Sequence, residues 1–169
     1  HIEHARGLAQ SCLDEARLSV RALRPDPLQH ADLIEALQAQ VQRMEASGTH
    51  AQLTVLGDRI PLPREVQAEL LRIAQESITN VLKHARAQTV HVTLAFGEDA
   101  VSLSVADDGV GFDPEGRHDG FGLLGMRERA ERIGARLLVR SRAHGGSRVE
   151  TLLPRSALAA LGSKELREG

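Results

Sequence analysis

DGFGLLGMRER, residues 119–129, is the stretch that decides the fold. Its glycines, Gly120, Gly122 and Gly125, spell GxGxxG, the fingerprint of a dinucleotide-binding turn. That turn needs a buried strand directly before it, a helix after it, and an acidic residue about 20 positions further on. The helix is there, because Leu123, Met126, Ala130 and Ile133 recur at helical spacing. The strand is not: GFDPEGRHD, residues 111–119, is loop chemistry. At about 20 residues beyond the motif lies the Gly145-Gly146 turn, with no carboxylate in place. These glycines therefore serve a different architecture.

Bulk properties narrow the choice. A chain of 169 residues, 41% apolar, can bury one good core. The net charge of −2 supplies no basic field, and three Phe with no Trp or Tyr supply no stacking platform. Direct nucleic-acid binding is accordingly not expected. Cys12 stands alone, so neither a disulfide framework nor a cysteine metal site is available. No apolar run reaches membrane-spanning length. The chain starts at His1 without a Met, which reads as a fragment of something longer.

Periodicity predicts the elements. Ile2, Ala9, Ala16 and Leu23 share one heptad position, and Leu13 and Val20 another, giving a helix over 2–24 with a bundle-like seam. Arg24-Pro25-Asp26-Pro27 breaks it. A second helix carries Leu33, Leu37, Val41 and Met44 on one face and stops near Ser47-Gly48. A short strand at Gln52–Leu56 follows. The longest helix is expected from Arg64 to Ala85, with Val66, Leu70, Ile73, Ser77 and Val81 on one side and Leu71, Ile78 and Leu82 widening the arc. Val90, Val92, Leu94 and Phe96 alternate with polar residues, as do Val101, Leu103 and Val105, across a hairpin at Gly97–Asp99. After a glycine-rich loop come a helix near Phe121–Ile133, a strand near Leu137–Arg140, a turn at His144–Gly146, a strand near Arg148–Leu153, and a short helix around Ala157–Leu161. The class is α+β: a two-layer sandwich of a mixed, mostly antiparallel sheet with helices on one face, preceded by the N-terminal helix.

Two sets of residues carry chemistry. Glu76, Asn80, Lys83 and His84 form one polar stripe on the long helix. A solvated helix face looks similar, but carboxylate, amide, ammonium and imidazole together suit a hydrated Mg²⁺–polyphosphate. One neutral amide oxygen suffices where the phosphates bring the charge. Asp107 closes a strand ahead of Gly109 and Gly111. A carboxylate there can accept a hydrogen bond from an adenine amine, although Asp-Asp-Gly is also a common turn. Gly120 and Gly122 then lead into a helix whose first N–H groups can receive phosphate. No GxxxxGK[ST] occurs, so a P-loop is excluded.

Taken together, these stretches resemble a known family. QESITNVLKHA (75–85) is similar to an N-box, DDGVGF (107–112) to a G1-box and GFGLLGMRER (120–129) to a G2-box. GGSRVETLLP (145–154) resembles the closing strand, with Ser147 where Thr is usual. The set resembles the ATP-binding, Bergerat-fold domain of sensor histidine kinases, and the wording, with Leu23-Arg24-Pro25 upstream, resembles the nitrate-sensor-like subfamily. The resemblance implies that Asp107 binds adenine, Asn80 holds Mg²⁺, and Glu76 polarises the attacking group. Lys83 and His84 would lie near phosphates or ribose. Gly109, Gly111, Gly120, Gly122 and Leu123 would shape the ATP pocket, with 112–121 as its lid and Ser147 beside the adenine.

It further implies a division into a partial dimerisation and phosphotransfer helix (1–26), the ATP-binding domain (27–154) and a C-terminal tail (155–169). The partners implied are ATP, a phosphoacceptor helix of the same kinase family in cis or trans, and a response regulator with a LuxR-type helix-turn-helix output. The full-length protein would be a homodimer, with this domain cytoplasmic and room for a membrane anchor elsewhere. One departure stands out. The family's acceptor His precedes an acidic residue, whereas His1 precedes Ile2 and His4 precedes Ala5. The chain alone is therefore expected to bind ATP, hydrolyse it very slowly and not phosphorylate itself. The rival readings are an anti-sigma-type serine kinase, whose product would survive acid, and a nucleotide-sensing or dimerisation module that transfers nothing.

Overall fold

The computed structural model describes residues 28, 31–113 and 122–168, with side chains as far as residue 162. The chain divides after residue 30 into two units, the larger of them 31–169. The expected helix over 2–24 lies outside the described residues. In the larger unit, α1 (Leu33–Ala46) starts at a reciprocal cap. Asp32 Oδ1 accepts from Glu35 N at 2.9 Å, and Glu35 Oε2 accepts from Asp32 N at 3.2 Å. Leu33, Leu37, Val41 and Met44 are buried, as the spacing predicts. After β1 (His50–Leu56) comes α2 (Arg64–Asn80). Gln67 joins the two helix starts, accepting from Leu33 N at 3.1 Å and donating to Leu62 O at 2.9 Å.

The long helix differs from its expected span. The α-helical path ends at Asn80, and Val81–Ala85 form a π turn that leaves through Arg86 in the left-handed region, φ 50°. A π turn takes more residues per revolution, which delays the register. Leu82 consequently falls off the apolar arc and is 51% exposed, while Val81 and Ala85 stay buried.

The sheet is completed by β2 (Thr89–Phe96), β3 (Ala100–Asp107), β4 (Arg136–Ser141) and β5 (Ser147–Pro154), in the order β1-β2-β3-β5-β4. β1 and β2 run parallel, joined by the α2 crossover, and the other pairs are antiparallel. α3 (Gly122–Arg132) connects β3 to β4 in the chain. The buried rows Val90, Val92, Leu94, Phe96 and Val101, Leu103, Val105 meet Val149 and Leu153 of β5. Above them lie Leu70, Ile73, Met126 and Ile133, all about 1% exposed. Each such side chain contributes roughly 1.5–3 kcal/mol by leaving water. The same register sets Asp107 opposite Val90 on one side and Ser147 on the other.

The C-terminal helix is longer than its apolar residues suggest. α4 runs over Arg155–Glu168. Its start is fixed to the β2–β3 hairpin, where Arg155 N donates to Asp99 O at 2.9 Å and its guanidinium donates to Gly97 O at 2.8 and 3.1 Å. Leu158 is buried.

Candidate nucleotide site

Glu76 and Asn80 stand one turn apart on α2, both half-buried. The first residue of α3 arrives beside them. A side chain at Gly122 would come within 2.8 Å of Glu76 Oε1 and 3.5 Å of Asn80 Nδ2. The first turn of α3 therefore starts beside that carboxylate and amide. Segments some 40 residues apart in the chain thus meet at one place.

Two further contacts lock α2 to α3. Ser77 Oγ donates to Ile73 O at 2.9 Å and sits 3.3 Å from Met126 Sδ. Glu69, its side chain 9% exposed, accepts from Arg129 at 3.0 Å and Arg132 at 2.7 Å. The sequence reading passes over Glu69. Its signal was a carboxylate on the buried side of α2, together with two arginines three residues apart on the facing helix.

The second half of the site is the loop after β3. Asp107 is half-buried. Its Oδ1 accepts from Gly109 N at 2.8 Å, and its Oδ2 accepts from Ser147 Oγ. A methyl at Gly109 would overlap the Ala85 carbonyl and side chain, so only glycine lets the loop lie on the π turn. Val110 N donates to Ala85 O at 2.8 Å. Ala85, one turn past Asn80, thereby links the Asn80 end of the site to the Asp107 end. Gly111 takes φ +66° against the Arg142 carbonyl, where a side chain has no room.

The turn between β4 and β5 closes the loop from outside. His144 N donates to Val110 O at 2.7 Å and Gly146 N to Gly109 O at 2.9 Å. Phe112 N donates to Ser141 Oγ at 2.8 Å, and Ser141 Oγ donates to Gly146 O at 3.1 Å. Asp108 plays a different part from its neighbour. It is exposed, and its Oδ1 accepts from Thr89 N at 2.9 Å and Gln88 N at 2.8 Å. The Thr89 amide foremost, then that of Gln88, holds its carboxyl below the usual aspartate value.

Of the expected site residues, the structure brings Glu76, Asn80 and Gly122 together, and separately Asp107, Gly109 and Ser147, with Gly111 in the same loop. Lys83 and His84 are exposed on the π turn, and Leu123 is half-buried in the first turn of α3. Gly120 and most of the expected lid lie outside the described residues. Among the described residues, no three His, Cys, Asp or Glu side chains converge to hold a metal. A divalent cation at Asn80 would therefore draw most of its oxygen ligands from phosphate and water, the arrangement Mg²⁺ favours. An open groove lined by Glu45, His50, Gln52, Thr89 and His91 is a separate feature. Its His91 alternates with the buried Val90 and Val92 and so faces away from the core. Among the described residues, no helix is long and apolar enough to cross a membrane.

A mixed sheet under helices, with an asparagine-bearing helix and an aspartate–glycine loop at the end of the sheet's central strand, defines an ATP-binding domain of the Bergerat type. The chain belongs to the histidine kinase-, DNA gyrase B- and HSP90-like ATPase family, whose model matches residues 65–157. It is 30% identical over 155 residues to the signal transduction histidine-protein kinase/phosphatase DegS of Brevibacillus brevis, covering 90% of this chain and 40% of that protein. It is 33% identical over 149 residues to the signal transduction histidine-protein kinase/phosphatase UhpB of Salmonella typhimurium, covering 87% and 29%. The histidine kinase domain of a blue-light activated histidine kinase from Erythrobacter litoralis shares the fold, with a TM-score of 0.64 at 21% identity over 77% of this chain and 68% of that one. The chain spans less than half the length of either curated relative. Its motif wording places it with the histidine kinases of the nitrate-sensor-like subfamily.

Proposed function

We propose that this chain is the catalytic, ATP-binding part of a two-component sensor histidine kinase, and that it presents the γ-phosphoryl group of ATP to a histidine on an acceptor helix. The observation that carries this reading is the junction of Gly122 with Glu76 and Asn80, linked through Ala85 to the loop holding Asp107. Asp107 accepts from the adenine amine, and guanine, with a carbonyl at that position, is repelled. Ser147 Oγ and Gly109 N orient the carboxylate from the protein side. Asn80 supplies an amide oxygen to Mg²⁺, which when bound neutralises charge on the phosphates. The first N–H groups of α3 face the same phosphates.

Glu76 accepts a hydrogen bond from one imidazole nitrogen of the acceptor, leaving the lone pair of the other aimed at phosphorus. A nitrogen–phosphorus bond forms, the bond from the γ-phosphorus to the β-phosphate oxygen breaks, and ADP leaves. Lys83 and His84 sit beside the phosphates or ribose, and Gly111, Gly120 and Leu123 shape the pocket wall. Residues 1–26 belong to the dimerisation and phosphotransfer hairpin, 27–154 to the ATP-binding domain and 155–169 to the tail. In the full-length homodimer, the phosphoryl group passes onward to an aspartate on a response regulator with a LuxR-type output.

The test is phosphotransfer in trans. An acceptor-helix peptide of the same subfamily, mixed with this chain and Mg·ATP, is expected to gain acid-labile phosphate, while the chain alone gains none. Phosphate that survives acid would instead indicate a serine kinase. No transfer despite ATP binding would indicate a sensing module.

A further inference from the structure

The segment from Asp107 to Phe112 is held by a matched pair of hydroxyls on the β4–β5 hairpin. Ser141 ends β4, Ser147 opens β5, and the two are direct cross-strand partners. Ser147 donates to Asp107 at the start of the segment. Ser141 Oγ accepts from Phe112 N at its end, at 2.8 Å, and donates its own O–H to Gly146 O at 3.1 Å. Between them, the ties from His144 N to Val110 O and from Gly146 N to Gly109 O are backbone to backbone. Ser141 is thus a side chain in a largely backbone ladder. A substitution removes its hydrogen bonds without redirecting the chain.

We propose that Ser141 is a positioning residue for nucleotide binding: by fixing the far end of this loop, it holds Asp107 and Gly109 in the binding-competent arrangement before the nucleotide arrives. This rests on the nucleotide site proposed above. A loop that is competent only part of the time lowers apparent affinity in proportion to that fraction. The effect falls at the adenine end, so ATP and ADP are weakened alike. Ser141 is half-buried at a strand end, where alanine is accommodated.

The experiment is calorimetric titration of ATP and ADP into the wild type, Ser141→Ala and Ser141→Thr, well below their melting temperatures, with hydrogen exchange followed at the Phe112 amide. Ser141→Ala is expected to bind both nucleotides about five- to tenfold more weakly, with faster Phe112 exchange in the free protein. Ser141→Thr keeps the hydroxyl and should stay within about twofold of wild type. A Ser141→Ala chain that binds like the wild type overturns the inference and leaves the nucleotide site standing. So does a threonine variant as weak as the alanine one, since shape and not the hydroxyl would then matter. A wild type that binds neither nucleotide overturns the site and the inference together.

Discussion

Asp107 and Asp108 are neighbours with opposite duties, and their hydrogen bonds separate them. Asp107 is held by Gly109 and Ser147 beside the loop, whereas Asp108 turns outward to receive two amides at the start of β2. The sequence points to Asp107 through its place ahead of the glycines, but nothing in it reveals the task of Asp108. That task predicts a pH effect. The folded pKa of Asp108 is depressed, so its contribution to stability is present above the unfolded value of about 3.9 and is lost as pH falls through the lower folded value. Asp108→Asn should therefore be less stable than wild type near pH 5, with the gap narrowing as pH falls further into the acid range. Urea midpoints followed across that range measure this, and a gap that stays constant would remove the assignment. Ser141 was likewise illegible, because a serine at a strand end carries no pattern until the strand across from it is known.

Among the elements, those with long apolar periods were readable: α1, the body of α2, and the β2–β3 hairpin lie where spacing puts them. The π turn was not, since Val81–Ala85 continue a helical pattern and the contact that needs the wider turn, Gly109 on Ala85, is made by residues over 20 positions away. Pairing between elements is also where the Glu69 fork matters. Arg129 and Arg132 both reach a nearly buried carboxylate, so losing that charge leaves two guanidinium groups facing a poorer acceptor. Glu69→Gln is expected to cost about 1–3 kcal/mol of unfolding free energy. Arg132→Ala, which removes a half-exposed partner while Arg129 remains, should cost no more than about 1 kcal/mol. Denaturant unfolding of both variants checks the ranking, and equal losses would mean the fork does not join α2 to α3 as described.

At the scale of the whole molecule, the claim is that one nucleotide spans from Asn80 to Asp107, across the Ala85–Gly109 junction. The motifs were readable in order along the chain, but their convergence depends on the sheet register that puts Asp107 beside Ser147 and on the helix start that puts Gly122 against Glu76. The two ends should respond differently to substitution. Calorimetric titration of ATP into Asp107→Asn and Asn80→Ala, each with Mg²⁺ and with a chelator, tests this most directly. Asp107→Asn should weaken binding by about 1–3 kcal/mol in both conditions, because the adenine contact needs no metal. Asn80→Ala should weaken it only when Mg²⁺ is present. Two variants that both bind ATP as the wild type does, or that lose affinity in the same way with and without Mg²⁺, would contradict a single nucleotide lying between these residues.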